Sequence, residues 1–256
     1  MLDWLKRGDA PTADALRLLL RAYAATSRDD VREILEPELA RALEIAADSS
    51  SAAAAGWLML FAEAADASDD PRIRDMASAL AAKARENWHD ARSIAAGAKS
   101  VDAWLRALPL LPDGSAQVAI DELERLIAVA YQPGHGIGTA EDEIHVASAL
   151  LTAFAVTDRL PYAMLAEELL QHARRFVCDA TAVPFLVICA AAAALSRMAA
   201  LHQLPEYQNA AVIAPNADYR ADAVRMLEKV APEAHTYGID AAPYALAAGE
   251  LQSAFR

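Results

Sequence analysis

The sequence predicts an all-α protein of stacked helical hairpins, and three observations carry that expectation. The 256 residues are 55% hydrophobic but only 6% aromatic, and they are rich in alanine, which favours closely packed helices over a sandwich of branched and aromatic strands. Related segments recur at a spacing of roughly forty residues. No run alternates with the period of two that a half-buried strand needs, and Val212 with Ile213 is too short to count. A chain of this length can bury a sizeable core, so one domain over residues 1–256 is expected.

The repeats place the elements. LRAYAATSR at 20–28 rhymes with LTAFAVTDR at 151–159, and MLFAEAADASDDPR at 59–72 rhymes with LSRMAALHQLPEY at 195–207. Each is an apolar helix that ends in a polar break. Six apolar helices follow, at 13–25, 52–66, 101–111, 142–156, 183–202 and 239–254. The third is the weakest, because Pro109 and Pro112 shorten it. Five amphipathic helices alternate with them, at 29–48, 71–88, 116–131, 161–177 and 217–230. Pro71 and Pro161 suit a first helical turn, where a missing N–H has no partner to lose. One helix apolar all round and one with a charged face is the pairing that an inner and an outer layer require. A short helix over residues 1–7, beside the C terminus, would supply part of the sixth outer position and close a ring.

Charge and cysteine usage exclude several classes. Thirty-six acids against 23 bases leave a net charge of −13, which opposes binding to nucleic acid or to an anionic membrane. Cys178 and Cys189 have no CxxC spacing and read as small buried hydrophobes. The most apolar run, AVPFLVICAAAAAL at 182–195, is too short to cross a bilayer. No signal core opens the chain, so a cytoplasmic location is expected. Nothing calls for a cofactor, and a homo-oligomer stays open.

GHGIGTAEDEIHVA at 134–147 concentrates three of the nine glycines. A dinucleotide loop would need a preceding strand, and here a helix precedes it. His135 and His145 match no common metal-ligand spacing. The stretch reads instead as a helix-to-helix crossing, with Gly134 ending one helix, Thr139 capping the next, and Glu141, Asp142 and Glu143 in its first turn. The alanine runs AAAAG and CAAAAA read as helix packing.

EDEIHVASALLTAFAVTDRLPYAMLAEELLQHA at 141–173 and AVPFLVICAAAAALSRMAALHQLPEY at 182–207, with fainter echoes at 16–44 and 57–88, resemble the six-hairpin (α/α)6-toroid superfamily. The shared feature is an apolar helix that ends in a TGD-x-Y-like turn and leads into an amphipathic helix. That superfamily includes N-acylglucosamine 2-epimerase-like proteins, unsaturated glucuronyl hydrolases, and the helical part of thioredoxin-domain proteins related to spermatogenesis-associated protein 20. The resemblance covers about half of the chain and rests on structural motifs. The thioredoxin-like part has no counterpart in these residues, and the chain is shorter than the sugar-processing members. The resemblance implies an (α/α) toroid of about six hairpins, with a ligand cavity over the N-terminal ends of the inner helices.

Residues in the expected mouth then become candidates. Asp102, Asp142 and Asp240 are the candidate catalytic carboxylates, since paired acids do general acid and base work on sugars. Trp57, Trp104, His135, Tyr237 and Tyr244 are the candidate substrate contacts, because aromatic faces take the C–H side of a sugar ring. Asp179 and His145 lie at the same end. The competing reading makes the tryptophans core anchors and the aspartates helix caps. Two functions are therefore carried: a carbohydrate- or polyol-binding protein, catalytic or not, and a non-catalytic helical-repeat scaffold for protein partners. They part on whether Trp57, Trp104, Asp102, Asp142 and Asp240 meet in one open cavity or alanine and leucine fill the ring.

Overall fold

Short polar side chains decide where the helices begin. Thr12, Ser93, Ser115, Thr139 and Asp218 each accept a hydrogen bond from a first-turn N–H of the helix they precede. The computed structural model describes residues 10–68, 70–90, 93–111, 115–179, 183–210 and 212–255. Over that span run α1 (Ala13–Thr26), α2 (Asp29–Ala47), α3 (Ser51–Ala65), α4 (Pro71–Asp90), α5 (Ile94–Ala107) and α6 (Ala116–Ala130). They are followed by α7 (Ala140–Thr157), α8 (Leu160–Asp179), α9 (Phe185–Leu201), the short α10 (Pro205–Ala210), α11 (Tyr219–Ala234) and α12 (Ala242–Ser253). Among the described residues no strand forms, and one isolated bridge joins Gln132 to Gly136. The protein is all-α. Among the described residues no helix is long and apolar enough to cross a membrane.

The apolar helices contact one another in a cycle: α1 packs on α3, α3 on α5, α5 on α7, α7 on α9, α9 on α12, and α12 back on α1. The amphipathic helices lie against them, α2 on α1, α4 on α3 and α5, α6 on α5 and α7, α8 on α7, and α11 on α9 and α12. One continuous core of leucine, alanine, isoleucine and valine fills the space between the two sets. The helix expected over residues 1–7 lies outside the described residues.

Most expected elements stand within three residues of their bounds; the exceptions are the third apolar helix and the last amphipathic one, α11, which runs through Pro232 to Ala234, four residues past the expected 230. The third apolar helix starts at Ile94, seven residues before the expected 101, because Ser93 caps it and IAAGAKS continues the apolar face. It ends at Ala107, and Pro109 sits in a 3-10 turn, Leu108–Leu110. The last apolar helix starts at Ala242, after a 3-10 segment, His235–Ala241, broken at Gly238. Pro37 lies inside α2 and is exposed there, so water can reach the carbonyl left without its helical donor.

The rhyme between TSR and TDR has a physical basis. Ser27 and Asp158 both take left-handed backbone, with φ of 51° and 56°, and their N–H groups close the helix on Tyr23 and Phe154 carbonyls. Thr26 and Thr157 each donate to the carbonyl four residues back. Left-handed backbone costs a side-chain-bearing residue about 1 kcal/mol or more, which glycine avoids. Asp158→Gly is therefore expected to raise the melting temperature by roughly 2–4 °C, measurable by calorimetry.

The crossing from α6 to α7 differs in detail from the expectation. α6 ends at Ala130, with Tyr131 as its cap, so Gly134 lies in the following turn and does not end the helix. Gly134, Gly136 and Gly138 all have positive φ. Thr139 caps α7 as expected, and Asp142 completes a reciprocal capping box. Glu143 points back into this turn, where it accepts a hydrogen bond from the Ile137 N–H and faces His172 Nδ1 at 2.5 Å. A Cβ on Gly136 would overlap Glu143 Oε1 and press on His172. Gly136→Ala is expected to lose at least about 2 kcal/mol, read from urea denaturation, since it adds that overlap to left-handed strain.

Candidate functional site

Helices that are apolar all round leave little surface to solvent, so where they do is informative. On α9 the residues short of full burial are Leu186, Ala190, Ala193, Arg197 and Ala200, a stripe at helical spacing. The first four line a cavity of about 520 Å³. Asp14, Arg17 and Arg21 line it from α1, Gly56 and Met59 from α3, and Lys99, Asp102 and Arg106 from α5. Glu141, His145 and Ser148 line it from α7, and Pro243 and Glu250 from α12. All six apolar helices thus turn one stripe to the same space. Each contributes a first-turn residue to it, and at that end, its mouth, Asp14, Glu141 and Leu186 are open to solvent.

The floor is a network of buried charges. Asp102 Oδ1 accepts from Arg106 Nε at 2.9 Å and from Thr152 Oγ1 at 2.5 Å, and Oδ2 accepts from Ser148 Oγ at 2.9 Å. Arg197 donates to the Ser148 carbonyl and hydroxyl, both at 3.0 Å, and to Thr152 Oγ1 at 2.9 Å. Across the floor, Glu63 receives Arg17 at 2.6 Å and Arg21 at 2.8 Å, and Arg21 reaches Glu250 at 3.3 Å. Burial pushes the Asp102 carboxyl up, but Arg106, Arg197 and Thr152 outweigh it and hold the group below the usual carboxylate range. Glu63 is held down against burial by Arg21 and Arg17. Both carboxylates are thus fixed in the ionised form.

Burial, helped by the nearby Lys99 charge, pushes the His145 imidazole down to about 3, so it lines the cavity uncharged. Burial drives the Cys189 thiol up to about 12, which leaves no thiolate for nucleophilic chemistry at neutral pH. Among the described residues no group of three histidine, cysteine or acidic side chains is placed to hold a metal ion.

Of the residues singled out as catalytic or substrate contacts, Asp102 lines the cavity and the others lie elsewhere, while His145 and Glu141, placed at the same end, line it too. Asp142 joins two helix starts: Oδ2 accepts from Thr139, and Oδ1 accepts from the Ala95 N–H at the start of α5 at 2.9 Å. Asp240 is exposed in the 3-10 segment before α12. Trp57 and Trp104 are buried in the core, and Trp104 packs edge-to-face on Trp88 at 5.4 Å. His135 is exposed in the glycine turn, Tyr237 stacks on Phe185 at 4.0 Å, and Tyr244 packs half-buried against the core. The side chain of Asp179 lies outside the described residues.

The charged floor was missed, although its signal is present. Arg17, Glu63, Arg106, Arg197 and Glu250 are charges inside helices that are otherwise apolar at those positions. A charge there must face a polar interior, because desolvation without partners would be prohibitive. The alanine runs were also under-read, since Ala52, Ala55, Gly56, Ala190, Ala193 and Ala194 form walls of the cavity. Their small size is what leaves it open. No protein-family model, no curated protein and no solved structure matches the chain.

Proposed function

We propose that the protein binds a small polar ligand of the carbohydrate or polyol class in the cavity between its apolar helices, in an (α/α) toroid of hairpins. The carrying observation is that six largely apolar helices each turn a polar or small-residue stripe to one space of about 520 Å³, a size typical of small-ligand sites. The cyclic order of helix contacts is what a toroid requires. Uncharged His145 and the hydroxyl of Ser148 offer neutral partners to ligand hydroxyls.

The reading favours binding over hydrolysis. Among the described residues no tryptophan, tyrosine or phenylalanine ring lines the cavity, so a ligand would be held by hydrogen bonds in place of stacking. Paired-carboxylate hydrolysis needs one acid kept protonated beside one ionised partner, and Asp102, which lines the cavity, is held ionised.

Isothermal titration against monosaccharides, disaccharides and alditols tests the proposal. Heat of binding is expected from at least one of them, and it should vanish in Ala193→Phe, which fills the cavity from α9 without removing a hydrogen bond. The absence of heat across the panel would sink the reading. So would binding that survives in a folded Ala193→Phe variant.

A further inference from the structure

Among the described residues, one cation of the cavity floor has no direct ion-pair partner. Arg17 and Arg21 share Glu63, with Asp14 and Glu250 as second partners, and Arg106 pairs with Asp102. Arg197 donates only to the neutral oxygens of Ser148 and Thr152, and it forms no ion pair among the described residues. Those acceptors are already engaged with Asp102, so the carboxylate is one hydroxyl removed from the guanidinium. Burial and the like charge of Arg106 bring Arg197 down to about 10, while Asp102 and Glu250 act in the opposite sense. It therefore stays a cation at neutral pH.

Arg106 offers further unused donors. Its Nε is taken by Asp102, but its two terminal nitrogens have no hydrogen-bond partner among the described residues, and 30% of its side-chain surface is open. Arg197 likewise leaves Nε unused. Both residues line the cavity, and Arg197 feels the charge of Arg106. Two adjacent guanidinium groups with free planar donor edges match a bidentate oxyanion and little else.

We infer that the ligand carries an oxyanion, a carboxylate or a phosphate, which seats between Arg106 and Arg197 at the floor of the cavity. The inference rests on the ligand-binding reading above and narrows its ligand from polyols in general to acidic or phosphorylated ones. Asp102 then acts as a positioning residue, which orients Arg106 directly and Arg197 through Ser148 and Thr152. The acids at the mouth, Asp14 and Glu141, stand away from this seat on α1 and α7 first turns.

The test is isothermal titration of the full chain with sorbitol, gluconate, glucose, glucose 6-phosphate and inorganic phosphate. Either gluconate or glucose 6-phosphate is expected to bind at least tenfold more tightly than its neutral counterpart, and the pair that shows this identifies the oxyanion. Arg197→Met should abolish the preference. Arg106→Met should weaken it, which guards against one variant failing to fold. Inorganic phosphate should raise the melting temperature of the wild type and leave that of Arg197→Met unchanged. Equal affinity for neutral and charged members, or a charge preference that survives in Arg197→Met, would overturn the inference and leave the cavity reading standing. If no compound binds, both fall together.

Discussion

Glu167→Ala is expected to be the most damaging single substitution outside the cavity, with a loss of about 3–5 kcal/mol in urea denaturation at pH 7. Glu167 projects from α8 with no exposed surface and collects four partners from the chain that links α9 to α11 and a fifth from the first residue of α11. Oε1 accepts from Tyr219 at 2.9 Å and from the Ala214 N–H at 3.0 Å, and it faces His202 Nε2 at 3.0 Å. Oε2 accepts from Tyr207 at 2.8 Å and from the Ile213 N–H at 2.9 Å. One carboxylate thus pins a segment with little regular structure of its own. Glutamine is a poor substitute, because its amide would turn a donor toward donors.

The same residue sets a pH signature. Burial pushes the Glu167 carboxyl up, but His202, the Ile213 and Ala214 N–H groups and Tyr207 overcome it and bring it from 4.5 down to about 2. A carboxylate depressed in the folded state contributes stability that is complete above its unfolded value and is lost as pH falls through the folded one. The contribution is about 3 kcal/mol. The difference between wild type and Glu167→Ala should therefore be full above pH 5 and shrink between about pH 4.5 and pH 2. A gap that stays constant over that window would assign the loss to packing alone.

Asp102→Ala is expected to cost a similar amount, about 3–5 kcal/mol, for a different reason. Removing this carboxylate leaves Arg106 and Arg197 facing each other in a buried site with no anion between them and strands the hydroxyls of Ser148 and Thr152. Asp102→Asn keeps the shape and one acceptor, so it should cost less. If Arg106 and Arg197 seat an oxyanion, added phosphate or gluconate should recover part of the loss in Asp102→Ala, seen as a rise in melting temperature larger than in the wild type. A variant as stable as the wild type would show that water already balances these charges.

Helix class, hairpin pairing and most boundaries were legible, because the periodicity of apolar residues and the cap chemistry of Thr12, Ser115, Thr139 and Asp218 are local. The start of α5 was not, since IAAGAKS has the same small-residue character as a packed loop and only the Ser93 cap marks it. Site reading went wrong where it weighted residue type over context. Trp104 stands next to a helix start only if α5 begins at the expected 101; it lies near that helix's end, and the core absorbs it and Trp57 alike. Asp142 prefers a first helical turn and is used there as a cap. Asp102, by contrast, stands in mid-helix between Ser100 and Trp104, where only an interior network can hold it. Arg17, Arg106 and Arg197 stand in equally apolar company, and they are the floor.

The contact between α1 and α12 has a consequence for synthesis. Arg21 reaches Glu250 across 229 positions of sequence, so the cavity wall that α12 supplies is synthesised long after the one that α1 supplies. Hairpins made of neighbours in sequence can form early, whereas this contact waits for α12. A nascent chain that still lacks α12 is then expected to hold much of its helix yet bind nothing, so that ligand occupancy marks a molecule in which α12 has docked.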